Sequence, residues 1–561
     1  MMKSQNIIRK MLEMIDTLIE AGDHIYKIAI EEYYVNFCEL CNTMVEMVDS
    51  IHRSIKSIKQ NGNLALNTDL QCESIIDSLN NIIMYSKSRS PKLQQKIEFE
   101  LIPLLKDMYL QLYFWGCIYP DKNKMKKYYE NEMVDLSANN YIDEAEATGR
   151  YKYDISIIVL AYNKLEYTKL CIESLFEYVP KTLNYELILV NHGSTDGTKE
   201  YFESLSPTKQ LDILKNGGGL GAVYRIVEGK YVLLISNDVL VTENAINNMI
   251  KCIQSDNSIA WVVPATPNVS NFQNIDISYN NIKEMYEYSS KNNISNIYKW
   301  EQRTKLCNPI DLKESKKFFS RQGLGWGGYF HSLNSVSFPD DKLSLALRRK
   351  GYKMMLAKDA YCYHFGSVTL KEENANYKDN KGNKGEAAFY LEGRKEFYSV
   401  FGIDPWGTGF CWDKNLFKYL PCNEVGHVDV LGINCGIGSN PLKVRESIKE
   451  NAHNLDVKIY NITDEKCYIE DLKGVSDVAQ YVESIENVES IFKGKKFKYL
   501  IFESKLEIYK DPLKIIEKLK RKLQKNGAIS IKTSDETLRA KIKSNNIKAI
   551  ESGEWIIFSS I

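Results

Sequence analysis

The chain has 561 residues, which is too long for a single compact core, and about three domains are expected. Its 73 Lys and Arg residues balance 73 Asp and Glu residues, so no global basic field favours nucleic acid. The N-terminus lacks a signal-peptide pattern, and no apolar run approaches the ~20 residues that span a bilayer. Twelve scattered cysteines fit a reducing compartment. We therefore expect a cytoplasmic protein with no nucleic-acid partner and no stable membrane insertion.

Residues 1–148 contain little Gly or Pro, and apolar residues recur at helical spacing, as at Met11, Met14 and Leu18. This pattern predicts a helical bundle. Cys38 and Cys41 form a lone CxxC pair that would share one helical face, and core packing is favoured over zinc binding. A homo-oligomer or a protein partner bound through these helices stays open, although such apolar stripes are more often core.

Two strands, each followed by a polar turn, come next. Residues 155–160 are apolar and β-branched, as in a strand buried on both faces, and the turn 161–163 follows them. An amphipathic helix is predicted from about 166 to 178, with Leu170, Ile172, Leu175 and Phe176 as its apolar side. A strand at 186–190 and a second turn at 191–198 follow it. Such βαβ units bind ligands at the carboxyl ends of their strands, where both polar turns lie.

A glycine loop and a strand-end carboxylate follow. Residues 217–221 hold four glycines in five positions, which allows a backbone to approach a phosphate closely, and Lys215 adds positive charge. The strand 230–235 then ends in Ser236, Asn237 and Asp238. A carboxylate at this place suits a divalent cation held against a diphosphate, although Asp238 could simply cap a turn.

These segments, in this order, resemble the signature of glycosyltransferase family 2. The residues that carry the resemblance are 156–163, 190–198 and 236–239, with 339–345, 349–353 and 364–369 downstream. The resemblance covers about 150–410 and implies a GT-A fold. It also implies inverting transfer from a nucleotide-diphosphate sugar with Mn²⁺ or Mg²⁺.

By this resemblance, Tyr162 stacks on the base, Asn191 hydrogen-bonds it and Asp238 ligates the metal. His364 would reach the metal or the diphosphate, with a satisfied core histidine as the alternative. The predicted nucleotide-sugar-binding residues are Ala161, Tyr162, Asn163, Asn191, Lys215, Asn216, Gly218, Gly219, Asn237 and Asp238.

The transfer also needs a base, because an acceptor hydroxyl is a poor nucleophile at neutral pH. The resemblance assigns this role to Asp340, with Asp341 as the less favoured neighbour, and both could instead cap a helix starting near Lys342. Trp326 lies in a glycine-rich stretch that would suit a loop on the acceptor side, where Trp326 would stack on the acceptor. A loop with only a structural role is an equally good interpretation.

Four positions depart from the family pattern. Asn191 and Ser236 stand where aspartates are usual, Pro339 where glutamate is usual, and Lys342 where a second acid is usual. The carboxylates needed for the metal and the base remain. The departures nevertheless keep a non-catalytic, ligand-binding scaffold open as an alternative.

The C-terminal part resembles a class I methyltransferase. Residues 428–438 read as a strand with a glycine turn, and 497–503 and 506–513 continue the resemblance. The acid usual before the glycine turn is replaced by Gly432, and the acid expected at the second strand's end falls near Asn461. We therefore expect a degenerate domain that does not bind S-adenosylmethionine.

The sequence thus predicts a multidomain α/β protein with a helical domain at 1–148, a GT-A domain at 149–420 and a methyltransferase-like Rossmann domain at 425–561. This combination resembles clostridial flagellin-modifying transferases. It implies metal-dependent transfer from a UDP-sugar, with N-acetylglucosamine favoured, to Ser or Thr of a bacterial protein such as flagellin. The alternatives are a glycan or polysaccharide glycosyltransferase and the scaffold.

Overall fold

The computed structural model divides into two compact units. The residues that it describes are 2–31, 34–60, 69–89, 93–97, 101–113, 116–117, 121, 123–124, 141–213, 226–270, 272–275, 277, 279–307, 309–319, 339–366, 386–545 and 548–559. The first unit comprises Met1–Ser295, Cys307–Leu343 and Asp359–Ile403, and the second comprises Asn296–Leu306, Ser344–Lys358 and Asp404–Ile561. Three stretches of the predicted GT-A range 149–420 belong to the second unit, namely 296–306, 344–358 and 404–420. The domain boundaries at 148 and 420 stay a prediction.

The N-terminal region is helical, as predicted. Its helices are α1 (Met2–Glu31), α2 (Phe37–Gln60), α3 (Asp69–Lys87), α4 (Leu93–Lys96), α5 (Ile102–Tyr113) and α6 (Tyr141–Thr148). The apolar residues of α1 to α5 form one core, in which Ile15, Leu18 and Ile51 are fully buried. Cys41 lies in this core with no exposed surface, which confirms core packing for that cysteine. No helix in the described part of the chain is both long and apolar enough to cross a membrane.

Strands and helices alternate from residue 153 onward. In chain order they are β1 (Tyr153–Ala161), α7 (Leu165–Tyr178), β2 (Tyr185–Asn191), α8 (Thr198–Ser204), β3 (Lys209–Asp212), β4 (Gly229–Ser236), β5 (Val239–Leu240), α9 (Ala245–Gln254), β6 (Ile259–Ala265), α10 (Ile282–Asn292), a 3₁₀ turn (Ile297–Lys299), β7 (Trp300–Arg303), β8 (Ile310–Glu314), α11 (Ser315–Phe319), α12 (Pro339–Arg349), β9 (Lys353–Tyr361), β10 (Tyr363–His364) and α13 (Glu386–Phe401). The predicted strands and the first helix are confirmed to within a few residues.

The main sheet of the first unit has the strand order β3-β2-β1-β4-β8-β6. β3, β2, β1 and β4 are parallel, whereas β8 runs antiparallel to β4 and β6. Leu160 of β1 lies opposite Val190 of β2 and Ser236 of β4, so these three strands end level with one another. Their following turns therefore lie at one edge of the sheet. A two-stranded sheet of β5 and β10 also belongs to this unit.

The second unit contains a doubly wound sheet. Its remaining elements are α14 (Lys414–Phe417), β11 (Val428–Ile433), α15 (Ser439–Ala452), β12 (Val457–Thr463), a 3₁₀ turn (Lys466–Tyr468), α16 (Ile469–Lys473), β13 (Val478–Tyr481), 3₁₀ turns (Ile485–Asn487 and Leu506–Ile508), β14 (Phe497–Phe502), α17 (Pro512–Arg521), β15 (Leu523–Lys532), α18 (Glu536–Ser544), β16 (Ile550–Ser552) and β17 (Trp555–Ser559). The strand order is β13-β12-β11-β14-β15-β17-β16, and β17 runs antiparallel to both of its neighbours.

One prediction about this sheet is wrong. β12 does not end near Asn461 but continues through the fully buried Ile462 and Thr463, and Asp464 and Glu465 follow directly. An acid is therefore present after the second strand. Asn461 instead lies within the strand, 1% exposed, and donates from Nδ2 to Ser476 Oγ at 2.7 Å.

The second unit also buries a cluster of charges on β7, which pairs with β9 there. Glu301 is 4% exposed, and its carboxylate lies 3.0 Å from Arg303 Nη1, 2.9 Å from Lys443 Nζ and 3.3 Å from Lys358 Nζ. Burial alone would raise the pKa of Glu301, but these three cations hold it well below its usual range. The carboxylate is therefore ionised wherever the protein is folded.

We predict that Glu301→Gln lowers the free energy of unfolding by about 3–5 kcal/mol at neutral pH, because it leaves buried cations without their anion. Because the folded pKa is depressed, this contribution is present above the unfolded pKa and is lost as pH falls below it. Urea denaturation at neutral and acidic pH measures both effects.

The matched control is Glu517→Gln, which breaks an exposed i,i+3 pair with Lys520 in the same unit. It should change stability by less than about 0.5 kcal/mol. Equal effects of the two substitutions would contradict a structural role for the buried cluster.

Candidate functional site

The turns after β1 and β2 are joined by reciprocal hydrogen bonds. Asn163 N donates to Ser194 Oγ at 2.8 Å, and Asn163 Oδ1 accepts from Thr195 N at 2.9 Å. Asn163 has a φ of 53°, a left-handed conformation that asparagine tolerates better than most residues. Asp196 Oδ2 accepts from Leu165 N at 2.8 Å, at the start of α7. The two polar turns therefore form one connected surface.

Asn191 holds the second turn from the end of β2. Its Oδ1 accepts from Ser194 N at 2.9 Å, and its Nδ2 donates to Asp212 Oδ1 at 2.9 Å. The residue is only 3% exposed. The structure thus gives the Asn191 amide a turn-holding role, and its contact with a base stays a prediction. Tyr162, in the first turn, is half-buried.

Asn237 connects the end of β4 to the same turns. Its Nδ2 donates to the Asn163 carbonyl at 3.0 Å and to Thr168 Oγ1 at 2.9 Å. Its backbone N donates to the Leu160 carbonyl at 3.0 Å. The Asn237 side chain is 7% exposed, and its hydrogen bonds hold the turns in place. Its contact with a ligand stays a prediction. Ala161, also predicted for the site, is buried and accepts from His192 N at 2.8 Å.

Asp238 and His364 are brought together, although 126 positions of sequence separate them. His364 Nε2 lies 3.3 Å from Asp238 Oδ2. The pairing of β5 with β10 and the hydrogen bond from Phe365 N to the Asp238 carbonyl, at 3.0 Å, fix this approach. Asn268 Nδ2 donates to the His364 carbonyl at 2.9 Å. An imidazole nitrogen and a carboxylate oxygen thus stand side by side next to the end of β4.

Asp340 and Asp341 lie in the first turn of α12, which begins at Pro339 rather than near Lys342. Asp340 is half-buried, whereas Asp341 is only 5% exposed. A helix N-terminus favours carboxylates, because its unpaired N–H groups carry partial positive charge. The greater exposure of Asp340 makes it the better placed of the two to meet an acceptor.

Five predicted site residues lie outside the described residues: Lys215, Asn216, Gly218, Gly219 and Trp326. Among the residues that the structure describes, no group of three or more His, Cys, Asp or Glu side chains could enclose a metal ion. A cation at Asp238 and His364 would therefore take further ligands from elsewhere, such as a diphosphate.

His192 has no role assigned in the sequence analysis. It lies in the second turn, is 5% exposed, and its ring nitrogens have no hydrogen-bond partner within the described part of the chain. Burial lowers the pKa of His192 to about 4, so the ring is neutral at physiological pH. Its position beside Asn191 was visible in the sequence, but its burial was not.

Residues 156–303 match the family model described as glycosyl transferase family 2. The chain contains a family 2 glycosyltransferase domain. The matched segment includes the turns after β1 and β2 and the strand end at Asp238. No curated protein sequence matches the chain.

Two solved structures are similar to parts of the chain. The first is GalNAc-T7 with UDP, GalNAc and Mn²⁺, with a TM-score of 0.29 and 11% sequence identity. The match covers 38% of this chain and 44% of the GalNAc-T7 chain. The second is the mannosyltransferase PcManGT from Pyrobaculum calidifontis, in complex with GDP-Man and Mn²⁺. It has a TM-score of 0.29 and 15% sequence identity, and the match covers 53% of this chain and 74% of the PcManGT chain.

We predict that acid destabilises the folded protein partly through His192. The folded pKa of His192, about 4, lies below the ordinary value, so protonation of this residue favours the unfolded state. The full stability is therefore present above the unfolded pKa and is lost as pH falls toward the folded pKa. Going from about pH 7.5 to about pH 5 should cost about 2 kcal/mol through this residue. His192→Gln should remove that part of the pH dependence in urea denaturation.

His24→Gln is the control, because His24 is exposed on α1. An unchanged pH dependence in His192→Gln would contradict the burial argument.

Proposed function

We propose that the protein transfers a sugar, with inversion, from a UDP-sugar to a hydroxyl acceptor with the help of a divalent metal. The observation that carries this proposal is the Asp238–His364 pair, which stands directly after β4 at the edge where the turns after β1 and β2 also lie. Ligands of doubly wound sheets bind at this edge. The exposed part of Tyr162, in the first turn, offers a ring on which a base can stack.

The Asp238–His364 geometry fits a divalent cation. Neighbouring ligand atoms on an octahedral ion with bonds of roughly 2.1 Å lie about 3.0 Å apart. The observed distance between Nε2 and Oδ2 is 3.3 Å. An imidazole nitrogen beside a carboxylate favours Mn²⁺ over Ca²⁺, and Mg²⁺ remains an alternative. When bound, the cation would neutralise charge that develops on the departing diphosphate.

Asp340 supplies the base in this proposal. As the acceptor oxygen bonds to the anomeric carbon, its proton passes to the Asp340 carboxylate and the bond from that carbon to the diphosphate oxygen breaks. UDP leaves on the opposite face, which inverts the configuration. The half-buried Asp340 suits this role, whereas the more buried Asp341 suits support of the helix start. Lys215, Asn216, Gly218 and Gly219 are proposed to hold the diphosphate, and Trp326 to line the acceptor side.

The sugar and the acceptor are proposed from the resemblance of the domain combination. N-acetylglucosamine is the favoured sugar, and a Ser or Thr hydroxyl of a bacterial protein such as flagellin is the favoured acceptor. A cytoplasmic enzyme would modify such a protein before its export. Association of two copies through the N-terminal helices belongs to the same proposal.

The sheet of the second unit is proposed to be methyltransferase-like but without cofactor. Its strand order, with the last strand inserted antiparallel, supports the resemblance. A Cβ on Gly432 would lie 2.0 Å from Asn461 Oδ1, so no acidic side chain fits there unless Asn461 moves. Asp464 is present, but it is engaged with Asn434, whose Nδ2 donates to Asp464 Oδ1 at 2.9 Å.

The chain itself covers the glycine turn of this sheet. A Cβ on Gly436 would lie 1.8 Å from the Thr408 carbonyl oxygen, and one on Gly409 would lie 2.0 Å from the Cys435 carbonyl oxygen. Ser439 N, at the start of α15, donates to the Gly409 carbonyl at 3.3 Å. Backbone therefore occupies the space beside the turn into which a nucleoside cofactor would enter.

We predict that millimolar S-adenosylmethionine does not bind, because Thr408 and Gly409 already contact the glycine turn. Isothermal titration calorimetry on the full chain measures this, with UDP and Mn²⁺ as the positive control. A saturable heat with S-adenosylmethionine would contradict the proposed occlusion.

We predict that Mn²⁺-dependent release of UDP from one sugar donor is abolished by EDTA and by Asp238→Ala, since both remove the metal. Asp340→Asn should lower kcat by about 10²- to 10⁴-fold, since it removes only the base, and should leave UDP binding unchanged. An assay of UDP release across a panel of nucleotide sugars measures all three effects.

Glu200→Ala is the control, because Glu200 is exposed on α8. If no donor is consumed and Asp238→Ala binds UDP and Mn²⁺ like the wild type, the scaffold alternative is correct.

A further inference from the structure

His364 lies on the short strand β10, which has hydrogen-bonding partners on two sides. On one side β10 pairs with β5, and His364 lies opposite Val239. On the other side Asn268, in the segment after β6, donates from Nδ2 to the His364 carbonyl at 2.9 Å. All of these residues belong to the first unit, so the contacts lie within one compact body.

The peptide group between His364 and Phe365 has both of its polar atoms bound. Its carbonyl oxygen accepts from Asn268, and its N–H donates to the Asp238 carbonyl at 3.0 Å. A trans peptide group is planar, and its N–H and C=O point in opposite directions. Two hydrogen bonds on opposite sides therefore fix the plane to which the His364 Cα belongs. One of them is made by Asp238, the residue whose carboxylate faces the imidazole.

The backbone of Asn268 suits it to this contact. Its φ is 57°, in the left-handed region that asparagine adopts more readily than most residues. The residues after β10 pack closely against it, because a Cβ on Gly366 would lie 3.2 Å from Asn268 Cβ. Local conformation thus places the Asn268 amide at the His364 carbonyl, although Asn268 as a whole is exposed.

The ring of Phe365 provides a restraint that does not involve Asn268. It makes edge-to-face contacts with the rings of Tyr167 and Tyr363, and the ring centroids are 4.9 Å apart in each pair. Tyr167 lies in the first turn of α7, so Phe365 is packed against that helix. These contacts and the pairing with β5 remain when Asn268 is changed. Loss of the Asn268 amide should therefore loosen His364 without unfolding the strand.

We propose that Asn268 is a positioning residue for the divalent cation: by holding the His364 carbonyl it keeps the imidazole within reach of a cation on Asp238. This inference rests on the proposed function, in which Asp238 and His364 bind the metal. Nε2 of His364 stands 3.3 Å from Oδ2 of Asp238, and a cation needs both atoms at once. The measured affinity is the intrinsic affinity multiplied by the fraction of molecules with His364 in place.

The test is Asn268→Gly in the full chain, because glycine accepts the φ of 57° and removes only the amide side chain. The probe is Mn²⁺ with saturating UDP, and electron paramagnetic resonance measures the free ion. We expect the dissociation constant for Mn²⁺ to rise about 2- to 10-fold, the range that one hydrogen bond of this kind contributes. The variant should remain folded, since Asn268 is exposed, and its circular dichroism should match that of the wild type.

A double-mutant cycle shows whether Asn268 acts through His364. His364→Phe keeps a ring of similar shape and removes the nitrogen ligand, so it should weaken Mn²⁺ binding. In that background Asn268→Gly should have no further effect, because no imidazole is left to position. An equal fold-change in both backgrounds would overturn the positioning role.

The matched control is Asn184→Gly. Asn184 is also an exposed asparagine of the first unit, and its Nδ2 donates to the Lys152 carbonyl at 2.9 Å. This contact lies just before the start of β1, at the opposite edge of the sheet from Asp238. Mn²⁺ affinity should therefore equal that of the wild type.

An unchanged Mn²⁺ affinity in folded Asn268→Gly, with weakened binding in His364→Phe, would overturn this inference and leave the proposed function standing. If His364→Phe binds Mn²⁺ as tightly as the wild type, the metal pair of the proposed function fails, and this inference fails with it.

Discussion

Three asparagines hold together the turns that form the candidate site. Asn163, Asn191 and Asn237 hydrogen-bond the turns that follow β1, β2 and β4. Because those strands end level, short amide side chains can bridge one turn to the next. Tyr162 and Asp238 therefore follow strands whose turns are already held at one edge of the sheet. Preorganisation of this kind reduces the entropy cost of ligand binding.

Buried charge connects sequence segments that lie far apart. Glu301 with its cations joins β7 and β9 to α15, and Asp471 joins α16 to the end of α12. Both clusters lie within the second unit, which takes in segments from the glycosyltransferase stretch of the sequence. Because a buried charge without its partner costs several kcal/mol, these clusters specify one arrangement of the segments. The division into compact units therefore follows contacts rather than chain order.

The sequence predicted the strands and turns well because buried parallel strands have long apolar runs. It predicted the buried side of α7 less well: Ile172 and Leu175 are buried, but Leu170 and Phe176 are 40% and 44% exposed. Thr168 and Ser174 are buried instead, since their hydroxyls bind Asn237 and Val241 N. Hydrogen-bonding partners that are distant in sequence, like those of Asn191 and Asn237, cannot be inferred from periodicity. The end of β12 was misplaced for a related reason, because its last residue is a buried threonine.

The contact of Thr408 and Gly409 with the glycine turn has an evolutionary consequence. A Cβ on Gly436 or on Gly409 would meet a backbone oxygen of the other segment at 2.0 Å or less, so neither glycine accepts a side chain unless one segment moves. Backbone atoms, unlike side chains, cannot be removed by a substitution. We therefore expect the turn after β11 and the segment before that strand to change together in evolution, with both glycines kept.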